Sequence, residues 1–122
     1  MSICLLAGGK VTVFAAAAFT LSWTHSVEKT RWEEHWQVTP AGLQVVEARV
    51  RGSGAGMDPP EGSVFRDGWW IYRPGVGPQE KLVLAASGAT GEGWTFCAQG
   101  RCTMVGAGPA DPAVVTACQG HG

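Results

Sequence analysis

A chain of 122 residues suffices for one domain with a modest core and is too short for two. Its net charge of -1 leaves no basic face of the kind that nucleic acid requires, and no run of lysine and arginine points to a membrane surface. With 18 glycines, 7 prolines and 6 tryptophans against only 16% charged residues, the composition favours a turn-rich all-β protein over a helical one.

The first apolar run, residues 3–6, is closed by Gly8-Gly9, and residues 11–14 follow with β-branched side chains at alternate places, so both read as short strands around a glycine turn. This N-terminus has no charged leading region, and Gly8, Gly9 and Lys10 interrupt its apolar run. It matches neither a signal peptide nor a membrane span, and an export segment would have to lie upstream. The alanines 15–18 read as a turn or bulge.

The clearest strand comes next. Phe19, Leu21, Trp23, His25 and Val27 share one face while Thr20, Ser22, Thr24 and Ser26 share the other. After a polar stretch, Trp32, Glu34, Trp36 and Val38 form one face and Arg31, Glu33, His35 and Gln37 the other. A hairpin centred on Lys29-Thr30 sets Leu21 opposite Val38, Trp23 opposite Trp36 and His25 opposite Glu34. Pro40-Ala41-Gly42 then turns the chain into a strand in which Val46, Ala48 and Val50 alternate with Glu47, Arg49 and Arg51.

Residues 52–62, rich in glycine and proline, form a loop by composition. Further short strands are expected at 64–65, 69–72, 81–86, 94–97 and 102–105. Cys97 and Cys102 flank a four-residue loop, Ala98 to Arg101, and facing positions of such a hairpin can meet disulfide geometry. Zinc would need a second pair at similar spacing, which Cys4 and Cys118 do not form, so oxidation and an oxidising compartment are the better reading. The architecture expected is a small antiparallel sandwich or open barrel of roughly eight short strands over residues 1–105. Residues 106–122, small and weakly periodic, are expected to be a disordered tail, and whether its Cys118 pairs with Cys4 stays open.

Two titratable groups, His25 and Glu34, fall on apolar strand faces, where an unpaired carboxylate costs several kcal/mol or forces its pKa upward. They are read either as a structural pair that pins the hairpin, as ligands or an acid and base lining a site, or as a solvated strand end. The glycines at 52, 54 and 56 let backbone amides approach an anion closely, although no dinucleotide-binding order is present. Asp58 either caps a turn or completes a metal site with His25 and Glu34. Trp23, Trp32 and Trp36 are assigned to the core by their strand period. Adjacent Trp69 and Trp70 must point to opposite faces, which leaves one outside the core.

These blocks, Phe19-x-Leu21-x-Trp23-x-His25-Ser26-Val27-Glu28, Trp32-x-Glu34-x-Trp36, Gly54-Ala55-Gly56-Met57 and Trp94-x-x-Cys97 with Cys102, make the chain resemble the small prokaryotic proteins of domain of unknown function family 1850. The resemblance implies an extracytoplasmic, periplasmic protein with genes beside those of TRAP-type transporters that use TAXI-class binding proteins. It carries over no established activity, and it leaves the cofactor unknown. Its shared residues are His25, Ser26, Glu28, Glu34, Gly54, Ala55, Gly56 and Met57, the positions at which a ligand site is expected. The leading expectation is therefore an accessory or binding module of a TRAP-type transport system for small organic acids. Its partners would be transporter subunits or the acid itself, with membrane attachment only through a segment outside this chain. The alternatives are a metal-dependent enzyme using His25, Glu34 and Asp58, and a purely structural or interaction domain, with enzymatic activity the lesser reading.

Overall fold

The computed structural model describes residues 1–24, 30–51, 61–84, 93–106 and 112–118. Every regular element among them is a strand: β1 (Ser2–Ala7), β2 (Lys10–Phe14), β3 (Ala18–Thr24), β4 (Arg31–Thr39), β5 (Gly42–Arg51), β6 (Val64–Arg66), β7 (Trp69–Tyr72), β8 (Lys81–Leu84), β9 (Trp94–Ala98), β10 (Arg101–Val105) and β11 (Ala113–Cys118). They form two antiparallel sheets, one of four strands ordered β2-β1-β11-β8 and one of seven ordered β10-β9-β3-β4-β5-β7-β6. The sheets face each other as a sandwich and do not close into a barrel. The strand count exceeds the roughly eight expected because each of the ten short runs read from the sequence contributes a strand, and β11 adds one that the pattern did not mark.

Turn chemistry explains several of the connections. Between β9 and β10 the loop is two residues, not four: Gln99 and Gly100 both take positive φ, at 56° and 73°, the conformation that matches the twist of a tight hairpin. Ala98 and Arg101 are thereby drawn into the ladder, directly opposite each other. At the start of β5, Gly42 lies where a Cβ would come within 2.6 Å of the Gln79 carbonyl oxygen. Only a residue without a side chain admits the paired backbone hydrogen bonds that join Leu43 to Gln79, each 2.7 Å long.

The β3–β4 pairing has the expected faces and a different register. Phe19 stands opposite Trp36, Leu21 opposite Glu34 and Trp23 opposite Trp32. The slip is four residues along one strand, so every side chain keeps its face, and face alternation alone could not detect it. What selects the observed register is ring pairing: Phe19 stacks on Trp36 with centroids 6.0 Å apart, and Trp23 on Trp32 at 6.1 Å, both pairs nearly parallel.

Strand β5 contains a second departure. Its ladder with β4 shifts at His35/Trp36, so that Trp36 opposes Val45 while His35 opposes Glu47, leaving Val46 as the extra residue of a bulge. The inward set is therefore Leu43, Val45, Ala48 and Val50, and Val46 does not belong to it. Glu47, Arg49 and Arg51 stay on the opposite, charged face, as the alternation predicts.

The core lies between the sheets. Ile3, Leu5, Phe14, Ala113 and Val115 from the smaller sheet meet Phe19, Leu21, Trp36, Val45 and Phe96 from the larger. Phe96 is fully buried and touches both Phe14, at 5.1 Å between ring centroids, and Phe19, at 5.3 Å. Burial of a ring this size contributes about 2–3 kcal/mol, and here it also ties the two layers together.

The segment expected to be a disordered tail is corrected in part. Residues 113–118 form β11, a central strand of the smaller sheet that pairs with β1 and β8 and buries Ala113 and Val115. The small, apolar residues that make this segment look featureless are the ones that fit between two layers. Cys118 is bridged to Cys4, and Cys97 to Cys102 at facing positions of the β9–β10 hairpin.

The two bridges should differ in worth. Loop closure over a sequence separation of 114 residues far exceeds closure over 5, and the chain-entropy account assigns about 5 kcal/mol to the first and about 2 kcal/mol to the second. The paired substitution Cys4→Ser with Cys118→Ser should therefore lower the melting temperature more than Cys97→Ser with Cys102→Ser. Thermal unfolding of the two variants in parallel checks the order, and the reverse order would refute the assignment.

Candidate functional site

Part of the inner face of the larger sheet lies outside the core cluster that the two sheets share among the described residues. Cross-strand registers place Leu21, Glu34, Ala48 and Tyr72 in one transverse row, on β3, β4, β5 and β7. The next row outward contains Trp23, Trp32, Val50, Trp70 and Phe65. Of these, Leu21 belongs to the core cluster and Trp23 packs against it, whereas Trp32, Glu34, Ala48, Val50, Trp70 and Tyr72 lie outside it. A corner of the inner face is thus built from aromatic rings and one carboxylate, at a place where the second layer supplies no core partner among the described residues.

Glu34 is held there by its strand. It projects inward beside Trp36, whose indole Nε1–H donates to Glu34 Oε1 at 3.1 Å. Burial raises the carboxyl pKa above its ordinary value near 4.5, and the Trp36 hydrogen bond offsets only part of that rise. Across β5, with the small Ala48 between them, stands Tyr72. Its phenol is raised above 10.0 first by burial and then by the charge of Glu34. The same corner holds two buried indole N–H groups, on Trp32 and Trp70, with no hydrogen-bond partner among the described residues. A buried donor left unpaired costs about 1–3 kcal/mol, and these two stand on either side of the buried Val50.

The residues named from sequence separate as follows. Glu34 is inward-facing and desolvated, as expected, but its cross-strand partner is Leu21 rather than His25. His25, Ser26, Glu28, Gly54, Ala55, Gly56, Met57 and Asp58 lie outside the described residues. The metal set of His25, Glu34 and Asp58 accordingly has one described member, and the described residues contain no cluster of three or more metal-ligating side chains. Glu33 and His35 sit on the outer face and pair with each other at 2.8 Å. Trp36 is core and Trp23 borders it, while Trp32 belongs to the inner-face corner outside the cluster. Trp69 and Trp70 point to opposite faces, as adjacency requires: Trp70 to the corner, Trp69 to the outside beneath Arg49 and Arg51. Tyr72 was not legible as a site residue, since only the register of β7 against β5 brings it beside Glu34.

The sequence model of one protein family, described as "Domain of unknown function (DUF1850)", matches residues 19–105. The chain belongs to this family. The match runs from β3 through β10, and so takes in every strand of the seven-stranded sheet and the whole inner-face corner. Comparison with curated proteins and with solved structures finds no match.

The corner can be tested by titration. Because the folded-state pKa of Glu34 lies above its unfolded value, the folded chain holds this proton more tightly, and the stability present below the unfolded value is lost as pH rises through the folded one. Glu34→Gln should therefore melt higher than wild type at pH 7, with the two curves converging below about pH 4. Tyr72 is the single tyrosine of the chain, so tyrosinate absorbance reports on it alone. Its titration should move down in Glu34→Gln yet remain above 10.0, since burial is its larger cause. Identical melting and tyrosine titration in both proteins would show that Glu34 is not held in the corner.

Proposed function

We propose that this protein is a non-enzymatic binding module of an oxidising, extracytoplasmic compartment, acting as an accessory to a TRAP-type transport system for small organic acids. The observation that carries the binding reading is the pair of buried indole N–H groups of Trp32 and Trp70, without a hydrogen-bond partner among the described residues, on the same face as Glu34. Two N–H donors suit the oxygens of a carboxylate. A carboxyl side chain pushed toward its protonated form adds an O–H donor where an ionised one would repel. Such a site takes an acid more tightly as pH falls.

The compartment is supported by two disulfides, which persist in oxidising surroundings and are rare where thiols are kept reduced. Among the described residues no helix is long and apolar enough to cross a membrane. The transport association is supported by family membership and by the gene neighbourhood that the resemblance implies.

Co-purification with the TRAP membrane subunits and the TAXI-class binding protein tests the partner, and calorimetric titration with succinate at about pH 5 and about pH 7.5 tests the solute. Wild type should retain a transport component, and should bind the acid more tightly at the lower pH. The double variant Trp32→Phe with Glu34→Ala should lose either interaction by about tenfold or more. Recovery of no transport component by wild type would remove the transport reading, and a pH-independent or absent heat would remove the acid.

A further inference from the structure

The outer face of the larger sheet carries a feature that the inner corner does not use. Four of the nine lysines and arginines of the chain, Arg31, Arg49, Arg51 and Arg66, fall on β4, β5 and β6 around a single indole, Trp69 of β7. Ladder registers put Arg31 directly opposite Arg51, Arg51 opposite Trp69, and Trp69 opposite Arg66. One straight row across four strands, about 14 Å long at the usual strand spacing, therefore carries three guanidinium groups and one ring.

The carboxylates described on this face, Glu33 and Glu47, pair elsewhere. Glu33 pairs with His35, and Glu47 with Arg49, at 2.8 and 2.6 Å. Among the described residues no carboxylate pairs with Arg31, Arg51 or Arg66, and the buried Nε of Arg49 has no partner. Like charges directly opposite each other on adjacent strands are destabilising. The row is nevertheless preorganised. Arg31 donates to Ser22 Oγ at 2.7 Å and Thr24 Oγ1 at 3.3 Å, and Arg51 lies over the Trp69 ring, 5.5 Å from its centroid.

Charge and shape together select the occupant. Guanidinium groups held in place by neutral hydroxyls and by a ring keep their donors available for an oxyanion, and arginine and tryptophan are the residues that dominate protein interfaces. A small molecule would call for a concave pocket, whereas this row runs across four neighbouring strands of one sheet face. We propose that it is the docking surface for an acidic, extended segment of a partner polypeptide, with carboxylates at alternate positions. Same-side residues of an extended chain recur every 6.6–6.8 Å or so, a spacing that side chains as long as arginine accommodate along a row of this length. The surface is independent of the inner-face corner, and either could exist without the other.

Fluorescence anisotropy of a labelled twelve-residue peptide of alternating Glu and Ser tests the docking, with an alternating Lys and Ser peptide and phosphatidylglycerol vesicles as comparison probes. Wild type should bind the acidic peptide, more weakly as salt rises, and neither comparison probe comparably. Arg51→Glu and Arg66→Glu should each weaken binding about tenfold, whereas the remote pair Lys10→Glu with Lys81→Glu should leave it within about twofold. Arg66 is exposed on a short edge strand, so its variant should fold normally, as a melting curve can verify. Absence of binding, equal weakening by the remote pair, or capture by the vesicles in preference to the peptide would each overturn the proposal.

Discussion

The register of β3 against β4 is the constraint on which the rest of the molecule depends. Two stacked ring pairs, Phe19 with Trp36 and Trp23 with Trp32, hold it at two points four residues apart. Once it is set, β9 joins on one side through Leu21 and Phe96, and β5 on the other through Trp36 and Val45. The core and the inner-face corner then follow from one transverse arrangement: rings at the Phe19 and Trp36 end share a cluster with the smaller sheet, while Trp32 at the other end is not part of it. The bulge at Val46 lets β5 keep Leu43 and Val45 inward at one end and Ala48 and Val50 inward at the other.

Two sheets of unequal width cannot cover each other. The surplus of the seven-stranded sheet leaves the inner corner outside the shared core, whereas its outer face points away from the smaller sheet at any width, and the two faces differ in kind. On the inner side, partial burial strips water from Glu34, Tyr72 and two indole donors, so that a few polar groups act in a low-dielectric setting where each counts for more. On the outer side, solvent stays in contact with the arginine row, where charge number and alignment matter more than desolvation. The disulfide between Cys4 and Cys118 anchors the first and last strands of the smaller sheet side by side. It thereby ties together the layer that shares the core cluster with the larger sheet.

Much of this was legible in the residues. Period-2 alternation identified nearly every strand, and it correctly put Glu34 on an apolar face, the one titratable group among the described residues that both the pattern and the packing single out. Adjacency alone forced Trp69 and Trp70 apart. The failures share a cause: alternation reports which face a residue takes and is blind to slips by an even number of residues. Hence Glu34 was set opposite His25 when it faces Leu21, although both arrangements satisfy the same pattern. Val46 failed because a bulge inserts one residue without leaving a compositional mark. The segment of β11 failed because Ala113, Val115 and Ala117 carry little periodic signal, and their strand exists only by pairing with β1 and β8.

The amino-acid sequence by itself determined that the chain is an all-β protein with strands at definite places, a disulfide-linked hairpin at Cys97 and Cys102, and an inward carboxylate at position 34. These are local properties, written into neighbouring residues through side-chain alternation and turn chemistry. Only the tertiary structure decided which residues meet: Tyr72 beside Glu34, Trp32 and Trp70 on either side of Val50, and Arg31, Arg51 and Arg66 in one row with Trp69. Such meetings join positions tens of residues apart. They are set by register and by the unequal width of the two sheets, quantities that belong to pairs of strands rather than to any single stretch of chain.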